Sequence, residues 1–362
     1  MILLLCSASP DYLQDLTYAG LAQVLGKEQV VEHPPRPEFH RPAPYPLGCG
    51  FVPGPARGAT WDEVVALARD GRLSLVVVGA CKPEPLRALA ALREAVPDLP
   101  PQVFVDGGDH AGLGADAPDD FARVSAARPF DLAFKRELPR GAPPPPRTHP
   151  LTFSVNLDAF PALPEAPRPH ALFLAFRNTA PIRGQLAAAA AAAGLPNAGD
   201  GLVTRRRPGV VAKLRRSLRK RLGLRHEDGY IENLAHTFRA TGDDYLRRLA
   251  SSRVAVSARG AGFDTLRYWE VPACGAMLLS ERPTIEIPDD FEDGRSAVFF
   301  DGVDDFVDKA RRCCADLEAA ARIAAAGQQR LRDHHTTRHR AAYVLATVER
   351  ELGVVVGAGA RP

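Results

Sequence analysis

Cysteine is scarce and unpatterned in this chain of 362 residues. The six cysteines are Cys6, Cys49, Cys81, Cys274, Cys313 and Cys314. They form no C-x-x-C pair, and most lie within apolar runs, where a free thiol behaves as a small hydrophobic side chain. We therefore expect neither a disulfide framework nor a cysteine-based zinc site.

Long apolar runs are also lacking. No stretch approaches the ~18 apolar residues of a membrane-spanning helix, so we expect a soluble or peripherally attached protein of the cytoplasm. The N-terminal MILLLCSASPDY has no basic segment, and its apolar run is too short for a secretory signal. It is interpreted as the first strand of a sheet.

Acidic residues are missing from one segment, Thr204 to His226, which holds ten of the Lys and Arg residues of a chain with a net charge of only +3. The range Arg205–Arg225 is typical of a basic amphipathic helix. Such a helix could lie on an anionic membrane, bind an acidic glycan or pack its leucines on its own domain. Because no aromatic residues interleave with the cations, no nucleic-acid partner is expected.

The length exceeds the ~250–300 residues at which a single core stops growing, so two domains are expected. Strand-like and helix-like segments alternate in both halves, which predicts two doubly wound α/β domains with parallel sheets. The predicted strands are Ile2–Cys6, Gln29–Glu32, Leu75–Val78, Gln102–Val105, Asp131–Phe134, Leu151–Asn156, Ala171–Phe176, Val254–Ser257, Ala276–Ser280 and Ala297–Phe300.

Proline-rich stretches mark the predicted loops and domain boundary. Pro34 to Pro55 is interpreted as a long surface loop that could border a cleft. Prolines between residues 143 and 169 place the boundary near Arg168. We expect an N-terminal, acceptor-side domain at 1–167, a C-terminal, ligand-binding domain at 168–335, and a final helix and tail at 336–362 that return to the first domain.

The strand RVAVS leads into a glycine turn and a short helix, the arrangement that often binds phosphate. Gly260 and Gly262 allow close approach of a ligand to the backbone after Ser257, and Asp264 before Thr265 is the expected N-cap. Arg267 and Glu270 lie three residues apart and so share one helix face. This pairs a cation for phosphate with a carboxylate for vicinal hydroxyls.

The motif string around that turn resembles a known family. It consists of YLRRLASSRVAVSARGAGFDTLRYWEVPACGAMLLS, an acidic loop with Phe291 and Gly294, VFFDGVDD and IAAAGQQRLRDHHT, over about the last 120 residues. It resembles the CgeB-type and exostosin-like glycosyltransferases, which implies a GT-B fold of two Rossmann-like domains facing across a cleft. The resemblance implies that Arg267 and Glu270 hold the phosphate and ribose of a nucleotide-sugar donor.

Other residues are expected to complete the donor site. Arg177 ends the strand ALFLAF and Arg183 lies near the start of the next helix; either could neutralise the donor diphosphate or be a solvated arginine. In the first domain, Asp106 and Asp109 follow a buried strand, and either could deprotonate an acceptor hydroxyl. Asp106 could instead cap the following glycine turn.

The segment FKREL places Lys135 and Arg136 where they could contact donor or acceptor, or pair with Glu137. His334, His335 and His339 suggest a metal site, because residues four apart on a helix, such as His335 and His339, can share one ion. No third ligand has suitable spacing, however, and three nearby arginines oppose a dication. No D-x-D motif is evident, and GT-B enzymes generally work without metal. We expect no metal and no cofactor beyond the nucleotide-sugar substrate.

These patterns predict a metal-independent, hexosyltransferase-like bacterial enzyme that moves a sugar from a nucleotide-sugar to an acceptor such as a glycan, a lipid-linked molecule or a protein. Two alternatives stay open: a non-catalytic protein that keeps the same shell and binds glycans or membranes, and a nucleotide-sugar epimerase. The patterns leave open the sugar, the acceptor and whether anomeric configuration is retained or inverted.

Overall fold

The computed structural model describes residues 1–9, 11–43, 45–55, 58–161, 163, 167–203 and 242–356. Within these residues, the neighbouring β-strands named below pair in parallel, and most of them belong to two main sheets. Parallel sheets bury both faces under helices, so their strands are hydrophobic throughout. The doubly wound architecture expected from the sequence is therefore confirmed.

The first sheet has six strands in the order β2-β1-β3-β4-β5-β6. Their bounds are Ile2–Leu5 (β1), Val30–His33 (β2), Leu75–Val78 (β3), Gln102–Asp106 (β4), Leu132–Lys135 (β5) and Thr148–Pro150 (β6). Four helices connect them: Tyr12–Leu25 (α1), Trp61–Arg69 (α2), Pro83–Ala95 (α3) and Pro118–Ala127 (α4). The strand order reverses between β1 and β3, and ligands bind at such reversals in open α/β sheets.

Local sequence fixes where these helices begin. The Asp11 carboxylate accepts hydrogen bonds from the Leu13 and Gln14 amides at the start of α1. Thr60 and Glu63 form a reciprocal capping box at the start of α2. Alternate residues of each central strand then face opposite layers, so Leu4 packs in one core and Leu5 in the other.

The second sheet has the order β12-β11-β10-β7, and β8 and β9 form a further two-stranded ladder. The bounds are His170–Phe173 (β7), Ala175–Arg177 (β8), Gly201–Val203 (β9), Ser252–Ser257 (β10), Met277–Glu281 (β11) and Val298–Phe300 (β12). The helices are Pro181–Ala192 (α5), Asp243–Ala250 (α6), Leu266–Ala273 (α7), Val303–Ala315 (α8) and Leu317–His334 (α9). The strand β10 thus ends at the turn singled out by the sequence.

A last helix, Thr337–Leu352 (α10), packs against α1 of the first domain. A Cβ atom on Gly20 of α1 would collide with the Thr337 carbonyl oxygen and lie 2.9 Å from the Ala341 Cβ atom. The chain crosses between the domains twice, and the two crossings are in contact. The Val155 amide donates to the His335 carbonyl oxygen at 3.3 Å, and the Val155 carbonyl oxygen accepts from the Thr337 amide at 3.1 Å. The return of the final helix is confirmed.

Some predicted elements are wrong. Residues Leu151–Asn156 are not a ladder strand, apart from one bridge at Val155, because several of their amides bond to other parts of the chain. The helix Pro118–Ala127 was not predicted, since Val124 is its single fully buried apolar side chain. Gly327 lies within α9, where the missing side chain lets the helix approach the Ser296 carbonyl oxygen, 2.5 Å from where a Cβ would lie.

The described helices include none that is long and apolar enough to cross a membrane. One cluster of buried hydrophobic residues extends through both domains, with Ile2 and Leu16 from the first and Trp269 and Phe291 from the second. The other faces of the two sheets have separate cores. The two domains therefore share apolar packing beside the turn that follows β10.

Candidate active site

The turn between β10 and α7 holds its residues in a different arrangement from the one expected. The N-cap of α7 is Thr265, so the expectation of an N-cap at Asp264 is wrong. Asp264 is buried and its carboxylate accepts hydrogen bonds from the Phe153 amide at 2.6 Å and the Trp269 indole at 2.8 Å. Burial raises the pKa of Asp264 to about 7. Asp264 therefore ties the second domain to the first.

The two glycines of the turn provide space rather than unusual backbone angles, since neither has a positive φ among the described residues. A Cβ atom on Gly262 would lie 2.5 Å from the Glu137 Oε1 atom and 3.0 Å from the Asp109 Oδ1 atom. A Cβ atom on Gly260 would lie 3.3 Å from the Arg183 Nη2 atom. Gly262 thus faces the first domain, and Gly260 faces Arg183.

Glu137 of the first domain fills part of the anion site that the turn was expected to offer. Its carboxylate accepts hydrogen bonds from the Phe263 amide at 2.8 Å and the Asp264 amide at 3.0 Å. Burial raises the pKa of Glu137, although Arg136 nearby acts in the opposite direction. These two backbone donors therefore bind a protein carboxylate, and a ligand phosphate must find its donors elsewhere.

A group of arginines lies on the other side of the turn. The Arg183 guanidinium donates to the carbonyl oxygens of Ala258 and Arg259, each at 2.9 Å, and to the Thr179 hydroxyl at 2.9 Å. Arg183 and Arg267 each lie 5.4 Å from the centroid of the Phe176 ring. Burial, together with the charges of Arg267 and Arg177, lowers the pKa of Arg183 to about 10.

This clustering of cations at the carboxyl ends of β8 and β10 suits an anion. A buried arginine whose pKa is lowered by other arginines gains free energy when a polyanion binds beside it. Ser257 ends β10 close by, with its hydroxyl 3.4 Å from that of Thr265. The structure thus brings together Arg177, Arg183, Arg267 and the Gly260 side of the turn.

Glu270 lies deeper along α7 and is only 4% exposed. Its carboxylate accepts one hydrogen bond from the Tyr245 hydroxyl, at 2.7 Å, and another from the Tyr45 hydroxyl. Burial raises its pKa, while the two tyrosines and Arg267 lower it. Arg267 Nε donates to the Tyr245 hydroxyl at 2.9 Å, so Arg267 and Glu270 are linked through a tyrosine that the sequence did not single out.

Asp106 occupies a position suited to holding a turn. It is fully buried, accepts from the Gly108 and Gly114 amides, each at 2.8 Å, and pairs with the Lys135 ammonium at 3.0 Å. Lys135 is also fully buried and donates to the Gly108 carbonyl oxygen. Neither side chain reaches the turn after β10, so the structure does not bring Asp106 and Lys135 into the site.

Asp109 and Arg136 do lie at the domain junction. The Asp109 side chain is 47% exposed and pairs with the Arg136 guanidinium. Arg136 also donates to the Asp264 carbonyl oxygen at 2.6 Å and stacks over the Phe153 ring at 4.6 Å. Asp109 is therefore a carboxylate of the first domain that borders Gly262 and is open to solvent.

The histidines near the second crossing contact other protein side chains. His335 is buried between Trp269 and Phe291, and its Nδ1 atom lies 3.0 Å from the Arg340 guanidinium. His339 is bonded to Thr336, and His334 lies 4.0 Å from Asp289. Among the described residues, no group of three or more side chains could hold a metal ion.

His335 should make stability depend on pH. Burial, followed by the charge of Arg340, lowers the pKa of His335 to about 2 in the folded protein, so between about pH 2 and 6.5 the unfolded chain binds more protons. As pH falls below 6.5, the free energy of unfolding of the wild type should decline relative to His335→Asn by about 1.4 kcal/mol per pH unit. Urea unfolding at pH 7.5, 6.0 and 5.0 measures this difference. His334→Asn, at an exposed neighbour, should follow the wild type; parallel curves for wild type and His335→Asn would contradict the assignment.

The basic segment Arg205–Arg225 lies outside the described residues. Its contact with a membrane or an acidic glycan stays a prediction from sequence.

Comparison with known proteins supports the fold. Residues 205–346 match the family model described as glycosyl transferase-like, a range that includes Arg267 and Glu270. Among solved structures, HepE of Anabaena aligns over 96% of this chain and 99% of its own, with a TM-score of 0.58 and 13% identity. Sucrose-phosphate synthase of Thermosynechococcus elongatus aligns over 97% and 98%, with a TM-score of 0.54 and 14% identity. No curated protein matches the chain significantly in sequence.

The chain has the GT-B fold, and part of its second half is similar to the glycosyl transferase-like family. A glycosyltransferase of Rickettsia africae also aligns over 97% of this chain and 98% of its own, with a TM-score of 0.56 and 9% identity. The chain has the expected pair of domains and final helix, while its membership of the CgeB-type or exostosin-like group stays a prediction. Residues of its site that the sequence did not reveal are Tyr45, Thr179, Tyr245 and the Glu137 contact with the turn.

Proposed function

We propose that this GT-B-fold protein is a glycosyltransferase that transfers a hexosyl group from a nucleotide-sugar to an acceptor hydroxyl, with the donor bound along α7. The observation that carries the proposal is the pairing of a shielded carboxylate, Glu270, with Arg267 on the same face of α7. Arg183 lies beside Arg267, on the same Phe176 ring. A carboxylate can accept from both hydroxyls of a ribose, and arginines suit a diphosphate. HepE, which shares the fold, was crystallised with UDP and glucose, so uridine nucleotides are the first donors to test.

The arginines support a mechanism without metal. As the bond to the sugar breaks, negative charge develops on the leaving nucleoside diphosphate, and fixed cations stabilise that charge most when they are already oriented. The guanidinium of Arg183 is held by neutral oxygens of the turn and of Thr179. Arg267 and Arg177 add positive charge beside it. These cations supply the charge that a divalent ion would otherwise provide.

Asp109 is proposed as the general base for the acceptor. It belongs to the first domain, is half exposed, and lies next to Gly262 across the domain junction. A base must reach the proton of the attacking hydroxyl, and a fully buried carboxylate with all its bonds made within a turn, such as Asp106, is poorly suited to that. Arg136 orients the Asp109 carboxylate through their ion pair.

Glu270→Ala should weaken binding of the donor nucleotide by about 10- to 100-fold, because charged hydrogen bonds to the ribose are lost. Calorimetric titration of wild type and variant with UDP, GDP and ADP, and with UDP-glucose, measures the change. Glu270→Gln, which keeps one acceptor oxygen, should fall between the two.

The control is Glu318→Ala, an exposed glutamate of α9, which should bind as the wild type does. Equal affinity of Glu270→Ala and wild type for the nucleotide that binds would remove Glu270 from the donor site. If wild type binds no nucleotide, the proposed donor class is wrong.

A further inference from the structure

Both oxygens of the Glu270 carboxylate are engaged by tyrosine hydroxyls, and these come from different domains. Tyr245 stands on α6 of the second domain and donates to Oε2 at 2.7 Å. Tyr45 stands in the proline-rich loop of the first domain and donates to Oε1. With Glu270 only 4% exposed, little space is left around these two oxygens for further donors.

The two tyrosines are held differently. The Tyr245 hydroxyl also accepts from Arg267 Nε at 2.9 Å, and its ring packs edge-on against Phe173 at 6.1 Å within its own domain. The Tyr45 hydroxyl donates to Glu270, and its ring packs edge-on against Phe160 at 5.9 Å. Among the described residues, Tyr45 therefore has fewer hydrogen bonds to lose than Tyr245 on leaving the carboxylate.

The loop around Tyr45 is anchored on either side of it. Before Tyr45, the Phe39 ring is fully buried and stacks on Tyr18 at 4.0 Å. After it, the Cys49 and Phe51 carbonyl oxygens each accept from the Asn156 amide group at 2.9 Å. A small cavity between the domains borders Tyr45, Asn156 and Leu266. Tyr45 can therefore shift while both ends of its loop stay attached.

We propose that Tyr45 is a donor-site residue that occupies, in the free enzyme, the place of a ribose hydroxyl on Glu270. This inference rests on the proposed function, in which Glu270 binds the ribose of the donor. A nucleoside diphosphate then enters by exchanging its own hydroxyl for that of Tyr45, while Tyr245 stays and keeps Arg267 in place. Donor binding breaks this contact between the loop of the acceptor-side domain and α7, and frees the loop beside the acceptor.

A conservative substitution of Tyr45 should therefore strengthen nucleotide binding instead of weakening it. Tyr45→Phe removes the competing hydroxyl but keeps the ring, so it should bind its nucleoside diphosphate about 10-fold more tightly than wild type, the lower value for one hydrogen bond to a carboxylate. Tyr245→Phe removes the other hydroxyl and the link to Arg267, so it should bind more weakly. Tyr343→Phe, on α10, serves as a control for loss of a hydroxyl elsewhere.

Calorimetric titrations of these variants with UDP, GDP and ADP test the inference, with thermal unfolding to check that each variant is folded. In hydrogen exchange, residues 40–48 of wild type should exchange faster once nucleotide is saturating, whereas Tyr45→Phe should exchange fast already without nucleotide. Unchanged or weaker binding by Tyr45→Phe overturns the inference. If Tyr45→Phe does not bind more tightly but Glu270→Ala still weakens binding, the inference about Tyr45 fails and the proposed function is kept. If wild type binds none of the three nucleotides, the inference and the proposed function both fail.

Discussion

Arg183→Ala should lower kcat/KM for sugar transfer by about 10²- to 10³-fold, with most of the loss in kcat. Arg183 is fixed before the donor arrives, by carbonyl oxygens of the turn and the Thr179 hydroxyl. With a pKa lowered to about 10, it remains a cation at neutral pH. Its interaction should therefore strengthen as the leaving diphosphate gains charge, and steady-state rates of nucleotide release measure the effect.

A neighbouring arginine gives the matched control. Arg259 belongs to the same turn but is 49% exposed and pairs with Glu281 at 2.9 Å. Arg259→Ala should change kcat/KM by no more than about 3-fold, since exposed ion pairs contribute little. Arg183→Lys should recover only part of the activity, because an ammonium cannot reproduce the forked geometry of the guanidinium. Equal losses for Arg183→Ala and Arg259→Ala would show that the turn, and not Arg183, is responsible.

Asp109→Asn should lower kcat by about 10²- to 10⁴-fold, as removal of a general base does. The Asp109 side chain is 47% exposed, so the change should leave the free energy of unfolding nearly unaltered. Asp109 makes no bond to Arg177, Arg183 or Arg267, so the dissociation constant of the donor should change by less than about 3-fold. Rates at saturating donor, with stability from urea unfolding, separate the two effects.

Asp106→Asn should behave in the opposite way. It disrupts a fully buried ion pair with Lys135, which typically costs about 3–5 kcal/mol of unfolding free energy. The kcat of the molecules that remain folded should stay within about 3-fold of wild type, because neither side chain reaches the turn after β10. A wild-type kcat in Asp109→Asn would instead point to the donor phosphate as the base, whereas a large loss of kcat in a stable Asp106→Asn would restore Asp106 as the candidate.

The alternation of strands and helices could be predicted because buried parallel strands such as Leu75–Val78 are continuous apolar runs, and their periodicity is local. Capping signals at Asp11 and Thr60 also act within one turn of chain. Helix α4 has no side-chain cap hydrogen bond and buries one of its apolar side chains, Val124, so its apolar periodicity is weak. The segment Leu151–Asn156 has the composition of a strand, but its amides bond to Lys135, Asp264 and His335, which no local pattern reveals.

The candidate site also combines residues that a local sequence pattern reveals with residues that only the fold brings together. The sequence singled out the turn, Arg267 and Glu270 as candidates, and these all lie within fourteen consecutive residues, from Ser257 to Glu270. It did not identify the partners that come from elsewhere in the chain, because a contact such as Glu137 with the Phe263 amide joins residues that local patterns do not relate. Asp264 was assigned as a helix cap on local grounds, yet its carboxylate binds the backbone of the other domain.

The two crossings between the domains lie side by side, where Val155 pairs with Thr336. Two covalent tethers at one point restrain the second domain from sliding along the first at that point, and the buried contacts of His335 with Trp269 and Phe291 lie beside it. The double crossing also makes the first domain discontinuous in sequence, since it needs α10 to cover α1, whereas the second domain lies on one uninterrupted piece of the chain between the crossings.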